Sequence, residues 1–262
     1  MASELKDAGK VTLAPVTPDD VPQLTKLHAA AFKSDLFFNL MMLHRDEGAA
    51  APLIQRGIEA DMSNPNATLI KAMDENGDIV GWACWELKGD TKEPGPDVAA
   101  TPAPAPEAQP KSESVQTDTT AAKEEPVAGS EQQSSQSEAK KPEDSIRVLG
   151  GLQRRHRTTW EDTHLAGKKY LALEGLATHP RSQGRGVATK LVQWGINKAD
   201  AESLSCYAHA SPASHRLYDR AGFQELERDE YDLAEYAPGG KGGNRGWGVY
   251  TFRYMMRPAK NA

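Results

Sequence analysis

The segment "YLALEGLATHPRSQGRGVATKLV" (Tyr170–Val192) decides how this chain is read. It opens as an apolar, strand-like run that ends at Pro180, and it closes on "TKLVQWGINKA", which has the spacing of a helix. Between them, Ser182–Ala188 place two glycines on either side of Arg185. Glycines remove side chains from a turn, so consecutive backbone N–H groups can face an anion. The start of the following helix adds open N–H groups and a partial positive charge. Arg181 and Arg185 offer further phosphate contacts. The physical reading is a phosphate cradle, and a plain strand-to-helix turn is the alternative. It is not a Walker loop, because no Gly-Lys-Ser/Thr follows, and it lacks the Gly-x-Gly-x-x-Gly of the dinucleotide fingerprint.

Outward from this segment the pattern alternates strands and helices. Val11–Thr17 reads as a first strand and Pro18–Phe32 as a helix with Asp19 and Asp20 at its start. Asp35–His44 and Ala51–Met62 read as further helical pieces. Ala67–Leu87 reads as a β-hairpin, turned at Asn76-Gly77. Ile146–Gly167 reads as a helix, Leu204–Ala210 as a strand, and Gly248–Pro258 as a final strand. "SPASHRLYDRAGF" (Ser211–Phe223) reads as a helix with Ser211 as N-cap, Pro212 in the first turn and Gly222 as its stop. The expected class is α/β (α+β): a mixed, mostly antiparallel, twisted sheet flanked by helices.

One stretch stands apart. Gly89–Ser145 contains no Phe, Trp, Tyr, Leu or Ile and holds 8 of the 17 prolines. Its 12 acidic and 5 basic residues account for the chain's formal charge of −6. Such a stretch cannot bury enough apolar surface to offset its chain entropy, so a disordered acidic insert over 89–145 is expected. It interrupts a single domain over 11–258, preceded by a flexible N-terminus at 1–10. Closing a long loop costs only slowly more than closing a short one, which lets one domain tolerate it. The acidity belongs to the insert and points to no basic partner.

Cys84 and Cys206 sit in apolar strand runs and read as buried free thiols. No Cys/His spacing suits zinc. The N-terminus has no apolar secretory core and no run is long enough to span a bilayer. A cytoplasmic protein without membrane or nucleic-acid partner is expected, the nucleus being the other possible compartment; the oligomeric state is not readable.

The segment Leu176–Val192 resembles the acetyl-CoA signature of the GNAT superfamily of N-acetyltransferases, Gln/Arg-x-x-Gly-x-Gly/Ala, matched by Gln183, Gly186 and Ala188. A second motif of that family, Leu-Tyr-x-x-x-Gly-Phe, is matched by Leu217–Phe223, one helix and one strand later. The wording looks most like small fungal members. The resemblance implies acetyl-CoA as co-substrate, no metal, and acetyl transfer to a primary amine in a ternary complex, most simply a small molecule. Readings from other classes are a CoA-binding sensor or scaffold without turnover, and a protein or peptide acetyltransferase.

Position by position, the resemblance implies that the central strand splays from its neighbour and that backbone groups of Leu176, Ala177 and Thr178 hold the pantetheine arm. The Leu176 N–H would act as an oxyanion donor. The N–H groups of Gln183, Gly184, Arg185, Gly186, Val187, Ala188 and Thr189 would hold the pyrophosphate. Tyr218 matches the general acid that protonates the departing thiolate. Ser211 stands where the family often has Asn, and would contact CoA through its hydroxyl. Glu174 is the expected general base, its pKa raised by burial in an apolar strand; a strand-face Glu paired with Arg or Lys is the alternative. Glu86 is a second choice for the base, and His179 a weaker one. Phe37, Phe38, Met41 and Met42 are expected mainly in the core. The glycine-rich Ala237–Gly248 reads as a hairpin connection or a mobile lid.

Overall fold

The computed structural model describes residues 11–46, 48–89, 142–237, 239 and 246–260. These fall in one compact unit of the chain. The expected N-terminus, nearly all of the expected insert and most of the glycine-rich 237–248 loop lie outside the described residues.

Seven strands form one open sheet: β1 (Thr12–Pro15), β2 (Ala67–Met73), β3 (Ile79–Lys88), β4 (Tyr170–Thr178), β5 (Ser205–Ala210), β6 (Gln224–Asp232) and β7 (Val249–Arg257). Their order is β1-β2-β3-β4-β5-β7-β6. Every pairing is antiparallel except β4 with β5. The helices are α1 (Val21–Ala31), α2 (Leu36–Met42), α3 (Ala50–Ser63), α4 (Pro142–His164), α5 (Val187–Ala201) and α6 (His215–Arg220).

The sheet separates two cores. On one face, alternate residues Ala83, Trp85, Leu171, Leu173 and Cys206 pack on α5 through Leu191, Val192 and Ile196. On the other, Trp82, Cys84 and Leu69 meet α1 and α3, while Trp160 of α4 stacks on Tyr207 and Tyr254. This period-two division of β3 follows from the pleat, which sends successive side chains to opposite faces. Both cysteines are free and buried, as the sequence implied.

Three differences from the sequence reading have local causes. The strand β6 was not foreseen: "QELERDEYD" has no apolar alternation, because it is the sheet's edge and most of it faces solvent. The helix α6 starts at His215, and its N-cap position is Ser214 rather than Ser211. The Ser211–Ser214 stretch forms a turn instead, with Ser214 N–H on Ser211 O (3.1 Å) and Ser211 N–H on Ser214 Oγ (3.1 Å). The helix α4 begins at Pro142 and so takes in the last four residues of the expected insert; proline suits a first helical turn.

The helix that carries the glycine loop is seated by one close approach. A Cβ on Gly195 of α5 would lie 2.0 Å from Trp85 Cε2. Trp85 is fully buried, and its indole N–H donates to Leu191 O (3.3 Å). Glycine is therefore required at 195 for α5 to lie against the sheet. Gly195→Ala is expected to destabilise the fold by about 1–3 kcal/mol through overpacking. Thermal unfolding followed by circular dichroism checks this; an unchanged melting temperature would show that Trp85 yields.

Candidate active site

The parallel β4–β5 ladder covers only four rungs, Tyr170–Leu173 against Ser205–Ala208. Beyond it β4 runs on to Thr178 and β5 to Ala210 without pairing to each other. On the β3 side the register slips at the same level: Trp85 pairs with Leu173 and Cys84 with Gly175, leaving Glu174 as the extra residue of a β-bulge. Past the bulge the ladder to β3 resumes with Ala83–Leu176, Trp82–Ala177 and Gly81–Thr178. The His179 N–H donates to Val80 O on β3 (2.9 Å). Backbone donors alternate sides along a strand, so those of Thr178 and Leu176 turn toward the gap left by β5.

The loop after β4 is held from within. The His179 ring accepts from the Arg181 N–H (3.3 Å), Ser182 N–H donates to His179 O (2.8 Å), and the Gln183 amide donates to Thr178 O (3.3 Å). His179 thus caps the loop with its ring. Gly184 and Gly186 both take positive φ (72° and 79°), a region closed to most side chains. Gly186 is the N-cap position of α5, and Lys190 N–H donates back to its carbonyl (3.0 Å). The N–H groups of Val187, Ala188 and Thr189 therefore have no partner inside the helix. This row of open donors fits an anionic diphosphate.

The gap and the loop share one cavity of about 820 Å³. Leu176, Ala177 and Thr178 form one wall; Gln183, Gly184, Gly186, Val187, Ala188 and Thr189 form its cradle end; Ser211 lies on the facing β5–α6 turn. Of the cofactor-binding residues expected from the sequence, only Arg185 does not line it; that residue borders two other hollows, beside Asp74 and Asn76. The cavity also takes in residues the sequence reading missed as a group: Phe32, Ser34 and Asp35 between α1 and α2, Leu36 at the start of α2, Ser214 and Arg220 of the α6 region, and Val249 and Tyr250 of β7. They come from segments more than 200 residues apart, and no local motif links them. Phe37 and Met41 pack in the core with Leu40 and Tyr250, and Phe38 packs against the α1–α3 core, as expected.

The two expected catalytic residues stand differently. Glu174 is clamped: Arg157 Nη2 lies 2.8 and 2.6 Å from its two oxygens and Lys88 Nζ 2.5 Å from one. Burial pushes its pKa up, but the charges and hydrogen bonds of Arg157 and Lys88 outweigh burial and hold the carboxyl down at about 2. The expectation of a carboxyl raised toward neutrality is thereby corrected; the strand-face ion pair is what forms. The sequence could not show this, because Arg157 comes from α4 and Lys88 from β3. Glu86 is likewise engaged, accepting from the Asn64 amide (3.0 Å).

Tyr218 is buried against Phe223, with ring centroids 5.7 Å apart. Burial pushes its phenol up to about 12, partly offset by the Ser214 hydroxyl. It is not among the residues that line the cavity, although Ser214 and Leu217 of the same segment are. Close to Glu174 and Glu86, burial raises Asp61 on α3 to about 6, and their charges add to the effect. Beside the clamp, burial holds the His209 ring, stacked on Phe252, down at about 3.

This cradle, splayed strand pair and cavity are those of an acetyltransferase fold, and comparison with known proteins agrees. Residues 145–223 match the model of the acetyltransferase (GNAT) family. The arylalkylamine N-acetyltransferase 2 of Aedes aegypti shares the fold with a TM-score of 0.56 at 13% identity, over 95% of this chain and 99% of that one. A Corynebacterium glutamicum structure described as a histone acetyltransferase and related acetyltransferase gives 0.52 at 20% identity, over 95% and 96%. No curated protein sequence matches the chain. Among the described residues no helix is long and apolar enough to cross a membrane.

Two outcomes follow from the charges. Arg157→Ala leaves the buried Glu174 carboxylate short of a partner and is expected to cost about 3–5 kcal/mol, read by urea unfolding, with partial recovery on adding Glu174→Gln. For Asp61 the folded value, about 6, lies above the unfolded 3.8. Its stabilising contribution is complete below the unfolded value and is lost as pH rises through 6. Asp61→Asn should therefore raise the melting temperature around pH 8 and leave it unchanged around pH 4. Equal effects at both pH values would refute the assignment.

Proposed function

We propose that this protein transfers the acetyl group of acetyl-CoA to a small primary amine. The observation that carries the reading is the single cavity that joins a backbone anion cradle at Gln183–Thr189 to outward-facing N–H groups at Leu176 and Thr178. The cradle takes the diphosphate, as helix N-termini take anions. The gap beside β4 takes the pantetheine arm. The Leu176 N–H bonds the thioester oxygen and stabilises the charge that develops there as the amine attacks.

Tyr218 is the general acid in this reading. Its raised phenol stays protonated across the physiological range and supplies a proton to the departing thiolate. Glu174 acts by position: clamped by Arg157 and Lys88, it holds the bulge that turns Leu176 into the gap. The acceptor enters from the side of Phe32, Asp35, Leu36 and Tyr250, an apolar wall with one carboxylate, which suits a small amine carrying apolar substance.

The test is amine-dependent release of CoA thiol over a panel of arylalkylamines, polyamines, amino acids and lysine peptides. Turnover with small amines is expected, and Tyr218→Phe should lower kcat by about 10²-fold or more with the KM for acetyl-CoA little changed. Acetyl-CoA binding without turnover on any amine would overturn the enzymatic reading. Turnover confined to the lysine peptides would overturn the small-amine assignment.

A further inference from the structure

A second hollow, of about 520 Å³, lies between α1, the β2–β3 turn and the loop after β4. Ser182 lines both it and the large cavity. Three cations face it: Lys26 of α1, and Arg181 and Arg185 of the loop. None of the three is held in an ion pair or a side-chain hydrogen bond among the described residues. Like charges around one hollow repel each other, and an anion between them relieves the repulsion. Ser182 is only 8% exposed, and its hydroxyl has no hydrogen-bond partner among the described residues. A buried hydroxyl left unpaired costs free energy that a ligand bonded to it recovers. His179 adds one more donor. Its Nδ1 accepts the Arg181 N–H, so the ring proton sits on Nε2.

The rest of the lining says what the anion carries. The carboxamides of Gln23 and Asn76 each offer a donor beside an acceptor, the pattern that pairs with a purine edge. Asp78 has no side-chain partner among the described residues, so its carboxylate can accept from ribose hydroxyls or an exocyclic amine. Asp74 is already used by the turn, where its Oδ1 accepts the N–H groups of Asn76 (2.9 Å) and Asp78 (3.1 Å). Leu27, Ile79 and Val80 give the hollow an apolar side against which a ring can lie. Three cations against two carboxylates suit one phosphate on a neutral, donor-bearing body better than a polyanion. The volume is that of a small-molecule site.

We propose that this hollow is a second ligand site, separate from the large cavity, and that it binds a purine mononucleotide. The phosphate lies among Lys26, Arg181, Arg185 and the Ser182 hydroxyl, and the base and ribose lie toward Gln23, Asn76 and Asp78. The large cavity has a cation of its own in Arg220, so a ligand there does not need those of the hollow. Both sites share the loop that holds Ser182 and the cradle, so whatever one ligand does to the affinity of the other is returned by the same factor. The proposal goes beyond the acetyl-transfer reading and does not depend on it.

The experiment titrates adenosine 5′-monophosphate (AMP) by calorimetry into the full chain saturated with CoA, so that the large cavity is filled. One AMP per chain is expected, with inorganic phosphate and adenosine each binding about 10-fold more weakly or worse. Lys26→Ala should weaken AMP by about 10-fold, and Lys26→Ala with Arg181→Ala by about 10²-fold, since charge-assisted bonds are lost. Gln23→Ala should weaken AMP and leave phosphate binding unchanged. These three side chains are exposed, so the melting temperature should stay at the wild-type value in each variant. Lys26 does not line the large cavity, and Lys26→Ala should leave CoA affinity unchanged. Absence of AMP binding, AMP binding indifferent to Lys26→Ala and Arg181→Ala, or phosphate bound as tightly as AMP overturns the proposal. So does AMP that binds beside dephospho-CoA but is shut out by CoA, which would give the hollow to the 3′-phosphate of CoA itself. A chain that takes no CoA overturns the acetyl-transfer reading alone, and the same titration of the bare chain and its variants still decides the hollow.

Discussion

The structure turns on the place where two parallel strands stop pairing. After Leu173 and Ala208 the ladder between β4 and β5 ends, while β4 goes on for five more residues. Backbone donors freed in this way need other partners, and a sheet that opens in its middle is costly unless something holds it open. Here the bulge at Glu174 absorbs one extra residue, and Arg157 with Lys88 pins its carboxylate. A charge pair of this kind adds little net stability, since desolvation opposes it, but it specifies one geometry. The cavity, the outward N–H groups of Leu176 and Thr178, and the approach of the β5–α6 turn all depend on that geometry.

The cavity then has two chemically distinct ends. At one, glycine φ angles and an uncapped helix start present N–H groups without side chains. At the other, Asp35 presents the one carboxylate of the lining, held by Tyr250. Ser211 and Ser214 of the β5–α6 turn lie on the cavity wall, their hydroxyls 3.1 Å apart.

Much of the fold was legible because its signals are local. The hairpin turn at Asn76-Gly77, the strand Tyr170–Thr178 and the helix after Gly186 each follow from short-range pattern and turn chemistry. The edge strand β6 was invisible, since an edge facing solvent carries no apolar alternation. At the site the cradle was readable for the same reason: all its donors belong to one continuous loop. Asp35 and Tyr250 were not, because 215 residues separate them and only the sheet order brings β7 beside α2.

The sequence by itself determined the cradle, the strand that leads into it and the position of Tyr218, all of which rest on neighbouring residues and their backbone freedom. Only the tertiary structure decided what the charged groups do. A carboxyl in an apolar strand is raised if it stands alone and lowered if it is paired. Whether Glu174 meets Arg157 and Lys88 depends on α4 crossing β4 and on β3 running antiparallel beside it. Electrostatic character is set by distances between segments far apart in the chain, and distances of that kind exist only once it has folded.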